Sequence, residues 1–515
     1  MCIKNDEHSC IFKPAHEQHC KKELIYVYHI LSLKKFLYFC RPVNFMQKVI
    51  RFVFCLLFMP CLAYSQKVWT LQECIQHALE NNIQIKQVAL NKDLADVDKE
   101  QALAGMFPTL NAGASHNYYF GRSVDPTTYE FTNNEIRTNS FSLTSSLVIF
   151  EGFRLQNALR QSSLNYLSAK YDLEKIQNDV SLNVVTFYLQ VLYNKDLLKQ
   201  AQEQVDAGKI QKDRITEMEK LGAASRGNLL DIEAQYASDE LRMVNAQSQY
   251  DQAMLSIIQL LELESTSGFS IDTVSIPVPD VDVSSLNIST VYDAALKTQP
   301  EIKSSEYKVE SARKGLSIAR GGLYPRLSLN GSISSNYSSS GQSLASLAYD
   351  TTLIGYTQSL EPVYTLDAIP TFKDTPFRDQ LDENLSKSVG LSLVIPIFNG
   401  WATRSAIRRS KISWQQAQLN HESTQKTLFK NVQQAVNDVI TAGNRLTAAK
   451  KSEEALNQSY RFNLQKFDLG MLNIYDFLLS KNNYTKAQAD LLQAKYDLIF
   501  RIKVLDFYQG KPLTF

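Results

Sequence analysis

The stretch FDLGMLNIYDFL, Phe467 to Leu478, interrupts two long helical patterns at Gly470. A glycine just past a helix end can take the left-handed conformation that a Cβ makes costly. Three residues on, Asn473 can cap a new helix through its side-chain oxygen, and Asp476 falls at the third helical position, where a carboxylate suits the positive end of the helix dipole. The reading is helix, tight turn, helix. KLGAASRGNLLD, Lys220 to Asp231, repeats the construction, with Leu221-Gly222 ahead of Ser225 in the cap position and Asn228 three residues beyond.

The two glycines are 470 − 222 = 248 residues apart, and the same offset relates Phe150-Glu151-Gly152 to Phe398-Asn399-Gly400 and ALRQS, from Ala158, to AIRRS, from Ala406. A fixed offset over such a length is the mark of internal duplication. Nearer the start of each half the offset is 217, as in Ile85-Lys86 against Ile302-Lys303 and FPTL at Phe107 against YPRL at Tyr324. The halves therefore differ by an insertion of 248 − 217 = 31 residues between 327 and 398. The expected division is repeat 1 over 66–289 and repeat 2 over 290–515.

MQKVIRFVFCLLFMPCLAYSQ, from Met46, has Lys48 and Arg51, an apolar run from Phe52 to Tyr64, and small residues ahead of Gln66. That pattern is a signal peptide over 46–65, and its apolar run is shorter than the about 20 residues a membrane-spanning helix needs. Residues 1–45 precede this start and read as a gene-model extension. Pro60 makes a poor context for lipid attachment at Cys61. Without these segments Cys74 is the sole cysteine, so no intrachain disulfide is expected. CIFKPAHEQHC, from Cys10, spaces its histidines three apart rather than in the four-residue step of HExxH, and it too lies upstream. The remaining histidines, His77, His116 and His421, are scattered, and no metal or cofactor site is expected. Lys plus Arg falls to 54 − 9 = 45 against 53 − 4 = 49 for Asp plus Glu, a balance without the basic footprint of a nucleic-acid binder.

Periodicity supplies the elements. Leu428, Val432, Ala435, Val439, Ala442, Leu446 and Ala449 alternate spacings of four and three, the seam of a packed helix, with Phe429, Val436 and Ile440 as a second stripe. No proline interrupts Arg154 to Glu219, a helix of roughly 100 Å at about 1.5 Å per residue. LSLNGSISSNY, from Leu327, has period two instead: Leu327, Leu329, Gly331, Ile333 and Tyr337 share one face and serines and asparagines the other. SVGLSLVIPIF, TLNAGASHNYY and NSFSLTSSLVIF alternate likewise, with Phe141, Leu143, Leu147 and Ile149 on one face of the last. Segments near ten residues long with polar residues inward and apolar residues outward suit outer-membrane strands. The alternation by itself also fits a soluble sandwich. Ser338 to Lys387, which holds the insertion, is expected to be an extracellular loop.

Each half thus reads helix, strand, loop, strand, very long helix, glycine turn, returning helix. In that order the chain resembles the TolC family of outer-membrane efflux factors from about Trp69 to Phe507. The resemblance rests on the duplicated prolines Pro108 and Pro325, the glycines Gly152 and Gly400, the Leu-Gly turns and the run IYDFLLSKNNYTKAQADLLQAKYDL. It implies an α+β membrane protein: long coiled-coil helices walling a periplasmic tunnel, and four transmembrane strands per chain in a barrel shared by a homotrimer in the outer membrane. Implied partners are a periplasmic adaptor, an inner-membrane pump and outer-membrane lipid, with the adaptor docking at Leu221, Gly222, Leu469 and Gly470.

Family members ring the closed tunnel tip with aspartates six and nine residues after the second-half glycine. Asp476 matches the first position and Leu479 departs from the second, while Asn228 and Asp231 hold the first-half places. Leu472 stands where the family's latch arginine is expected. Asp476 also reads simply as a helix-dipole carboxylate. No Ser/His/Asp set and no GxxxxGK[ST] loop suggests an enzyme. Passive export through a channel is the expected function; the other class is a structural coiled-coil envelope protein without channel activity.

Overall fold

Four helices recur in each half of the chain at the same lengths. The computed structural model describes residues 68–124, 129–132, 135–264, 268–272, 276–277 and 286–514. The expected extension at 1–45 and signal peptide at 46–65 lie outside the described residues.

The first half runs β1 (Val68–Trp69), α1 (Leu71–Asn81), α2 (Ile83–Ala104), β2 (Thr109–Tyr119), β3 (Ser123–Val124), β4 (Phe131–Thr132), β5 (Ile136–Glu151), α3 (Arg154–Lys220), α4 (Arg226–Leu260) and β6 (Ser270–Ile271). The second runs α5 (Ile288–Thr298), α6 (Pro300–Gly321), β7 (Arg326–Ser338), β8 (Gln342–Tyr356), β9 (Pro362–Asp374), α7 (Phe377–Glu383), β10 (Ser386–Val394), α8 (Ala402–Asp468) and α9 (Ile474–Tyr508). Helices α1 and α5 have 11 residues each, α2 and α6 have 22, α3 and α8 have 67, and α4 and α9 have 35. The duplication read from scattered motifs is therefore structural.

Local chemistry sets the boundaries. Thr70 and Glu73 form a reciprocal capping box on α1, so two otherwise orphaned N–H groups are satisfied. Asn82 stops α1 and caps α2 by accepting from Gln84 N and Ile85 N, while Pro300 takes the first position of α6, where a missing N–H costs nothing. These two breaks, at equivalent places, divide each leading helix in a way the apolar pattern did not predict. Also unpredicted is the parallel pairing of β1 with β6, which ties the segment between the halves to the start of α1.

Four antiparallel strands form one sheet in the order β10-β7-β5-β2. Its register puts Ala112, Leu143, Ile333 and Lys387 in one row and Leu147, Leu329 and Leu391 in another, while the rows on either side of the first are Asn111–Thr144–Ser332–Ser388 and Gly113–Ser142–Ser334–Ser386. One face is thus mostly apolar and the other almost wholly serine, threonine and asparagine. A bulge between Val148 and Phe150 shifts the pairing, so that Phe150 rather than Ile149 lies opposite Leu327. The pairing adds Phe150 to the apolar face read for β5, because alternation alone cannot locate the extra residue of a bulge.

The segment from Ser338 to Lys387 is not a plain loop. Strands β8 and β9 pair as a long hairpin separate from the four-stranded sheet, and α7 follows. Gln380, buried at 3% exposure, fixes the root. Its Oε1 accepts from Ser338 N at 3.0 Å, and its Nε2 donates to Ser338 O and Thr375 O at 2.9 Å.

The core lies along the long helices. Leu428, Val432, Ala435, Val439 and Ala442 are buried as the seam required, and Val180, Val184 and Val191 hold equivalent buried places in α3. The second stripe is only partly covered: Val436 is buried, whereas Phe429 is exposed and meets the edge of Tyr292 at a centroid distance of 5.1 Å. Burying each such aliphatic side chain contributes about 1.5–3 kcal/mol.

Candidate functional site

Two features are candidates for function: the paired helix turns and the two-faced sheet with its hinges to the helices. At the turns both helices end in the same hydrogen-bond pattern. Met471 N donates to Lys466 O at 2.8 Å and Gly470 N to Phe467 O at 3.0 Å; in the first half Ala223 N donates to Met218 O at 2.8 Å and Gly222 N to Glu219 O at 2.9 Å. This Schellman arrangement needs a left-handed residue, and Gly222 and Gly470 have φ of +74° and +71°. Ser225 and Asn473 then cap α4 and α9 by accepting from Asn228 N and Asp476 N, and Asn473 Nδ2 donates to Asp476 Oδ2 at 2.7 Å.

The two turns are neighbours. Ile215, Leu229 and Ile232 of the first half bury one cluster with Ile474 of the second, Phe467 stacks on Phe477 at 4.5 Å, and Arg214 pairs with Asp468. Leu221 and Leu469, ahead of the glycines, remain exposed at 82% and 75%. Asp476 of α9 and Asp231 of α4 are exposed and Asn228, also of α4, is half-buried, and among the described residues no hydrogen bond joins them.

Behind the turns lies a polar link that the motif reading missed. Lys481 Nζ of α9 donates to Asp239 Oδ2 of α4 at 2.6 Å, with both side chains buried. Gln235 Nε2 donates to Asp239 Oδ1 at 2.8 Å and Arg242 lies 3.5 Å from the same oxygen. Further along the helices, Tyr496 Oη donates to Asp196 Oδ2 at 2.7 Å; burial, reinforced by that carboxylate, pushes the phenol above its ordinary range and keeps it a donor.

Where strands turn into the long helices, Gly152 and Gly400 have φ of +57° and +60°, as their spacing suggested. A Cβ on Gly152 would lie 2.4 Å from Gly321 O, so the backbones of the two halves touch there. The next residues, Phe153 and Trp401, are left-handed as well, at φ +60° and +66°. Both are exposed and the same 248 residues apart, and the Arg404 guanidinium sits 4.5 Å from the Trp401 ring centre. Sequence offered one signal for them, an aromatic after each duplicated glycine.

Among the described residues there is no cluster of three or more metal-ligating side chains, and no helix is long and apolar enough to cross a membrane. The family model described as outer membrane efflux protein matches residues 74–262 and 291–505, one stretch in each half. The chain belongs to the outer membrane efflux protein family. Toxin and drug export protein A of Aggregatibacter actinomycetemcomitans is 22% identical over 442 residues, covering 83% of both chains. Outer membrane protein TolC of Escherichia coli K12 is 21% identical over 432 residues, covering 83% of this chain and 80% of its own. In fold, this chain is similar to the CmeC outer membrane channel of Campylobacter jejuni, with a TM-score of 0.69, 18% identity and coverage of 86% and 87%. It is also similar to the outer membrane protein VceC of Vibrio cholerae, with a TM-score of 0.68, 13% identity and coverage of 86% and 97%.

Membership in the outer membrane efflux family places the apolar face of the β10-β7-β5-β2 sheet in the outer membrane and the long helices in the periplasm. The relatives are channel proteins rather than enzymes.

Proposed function

We propose that three copies of this chain close one barrel and one helical tunnel, and that cargo leaves the periplasm through them passively. The observation that carries this reading is the four-stranded sheet, apolar on one face and hydroxyl-rich on the other, with β10 and β2 as open edges. An open edge in hydrocarbon leaves backbone groups unpaired at several kcal/mol each, and bacterial barrels begin at about eight strands. Two copies would reach that minimum; the family resemblance favours three and a barrel of twelve strands.

In this reading the serine-rich face lines the exit and the turns at Gly222 and Gly470 form the far tip of the tunnel. Leu221, Gly222, Leu469 and Gly470 dock a periplasmic adaptor, and an inner-membrane pump supplies the energy. Asp476, Asp231 and Asn228 form the constriction. Cargo is chosen by the pump, since a wall of neutral serine, threonine and asparagine discriminates little between solutes. The working unit is the two repeats, 66–289 and 290–515, after removal of a leader over 46–65. Purified protein in a planar bilayer is the test: steady single-channel conductance is expected, and inserted protein that conducts nothing would favour the structural coiled-coil alternative.

A further inference from the structure

The β8–β9 hairpin has two chemically unlike faces, one richer in large apolar side chains and the other holding the acidic pair, although Ala348 and Ile369 also pair on the acidic side. Its register places Leu347, Tyr349 and Leu353 of β8 on the same side as Tyr364, Leu366 and Phe372 of β9, whereas the other side carries Asp350 directly opposite Asp367 and Thr352 opposite Thr365. The apolar side is bare within one chain, with Tyr349 67% and Leu366 68% exposed. A two-stranded ribbon is marginally stable in water, and an exposed apolar patch of this extent marks a contact surface.

Position and edges say what covers it. The hairpin leaves the sheet between β7 and the edge strand β10, at the end away from the helices, so it stands beside the seam where the next copy must join. Gln380 and the packing of Phe377 against Phe141 and Tyr337 hold its root to the sheet. Lipid is a poor occupant: among the described residues neither β8 nor β9 has a second strand partner, and burying those free edges in hydrocarbon would orphan their backbone groups. Asp350 and Asp367 repel across the ribbon and need water, which turns the acidic side outward and the apolar side toward the symmetry axis.

We propose that the hairpins of the three copies pack their apolar faces on one another above the barrel mouth, forming an extracellular collar through which cargo leaves. The proposal rests on the trimer reading given above. At roughly 3.3 Å per residue, the 15-residue β8 is about 50 Å long, enough to reach the axis from the barrel rim.

Single cysteines test it in the full chain on intact cells, with the parent protein, whose Cys74 is buried, as the blank. Leu366→Cys and Tyr349→Cys on the apolar side, and Thr352→Cys and Thr365→Cys on the other, are oxidised with copper phenanthroline and separately labelled with a membrane-impermeant maleimide. The collar predicts intermolecular disulfides and weak labelling for the first pair, and strong labelling without disulfides for the second. Free labelling of the apolar side, or its protection without cross-linking as a lipid or foreign protein would give, overturns the collar. The mass of the extracted assembly separates the two readings: an intact trimer without cross-links contradicts the collar alone, whereas a monomer contradicts the trimer and the collar with it.

Discussion

Lys481 and Asp239, 242 residues apart in sequence and on opposite halves of the duplication, meet in a 2.6 Å buried ion pair that joins the two returning helices near their turns. The bond lies just behind the tip cluster, so the relative placement of α4 and α9 depends on it.

Removing one partner leaves the other charge buried alone. Asp239→Ala is expected to destabilise the protein by about 3–5 kcal/mol, whereas Asp239→Leu combined with Lys481→Met should come out near neutral. Denaturation of the single and double variants measures this. Additive losses, with the double variant the least stable, would show that the pair itself is not the source.

A substitution at either turn glycine strains the backbone without a steric clash, since nothing lies within 4 Å of a Cβ built on Gly222 or Gly470. Gly222→Val and Gly470→Val should each cost on the order of 1–2 kcal/mol locally. They are expected to abolish export while the barrel still inserts, because the altered turn presents Leu221 or Leu469 wrongly to the adaptor. Export assays together with outer-membrane fractionation check this, and normal export from both variants would refute the docking role.

Much of this was legible because helix ends obey strong local rules. Gly470, Asn473 and Asp476 stand where a Schellman ending and a side-chain cap require them, and the seam from Leu428 to Ala442 is buried as its spacing dictates. Lys481 and Asp239 were legible only in part: each lies on the buried stripe of its helix, Lys481 four residues after Phe477 and Asp239 seven after Ile232, but that they face each other is a tertiary fact. The bulge at Ile149 and the folding of the insertion into a hairpin escaped for another reason. Period two survives a bulge on either side of it, and the strand pattern of β8 and β9 was concealed by the serine-rich run SSSGQSLAS that opens the segment.

Asp476 is exposed and bonded to its own cap residue, Asn473. If symmetry gathers its copies about a narrow axis, they repel one another and attract cations. Asp476→Asn should then weaken cation selectivity and divalent-cation block while leaving assembly intact. Reversal potentials in planar bilayers decide it. Unchanged selectivity, with a stability loss of about 0.3–1 kcal/mol, would leave only the helix-dipole role.

Glu301, in the first turn of α6, titrates above the ordinary carboxylate range, chiefly because it is half-buried; Lys175 draws it back and Asp179 pushes it further up. A carboxyl raised by folding gives its full contribution to stability below its unfolded value, near pH 4.3, and loses it as pH rises through the folded value. Glu301→Gln is therefore expected to raise the melting temperature at pH 7 to 8, with the advantage shrinking as pH falls and vanishing near pH 4. An advantage that is constant with pH would rule out titration of this group as its cause.

The most direct test of the channel is the mass of the folded, detergent-extracted protein. Its sheet has two open edges, β10 and β2, that a single chain leaves unpaired. Native mass measurement is expected to find three copies of the chain in one assembly; a folded, stable monomer would contradict the shared barrel and the export path built on it.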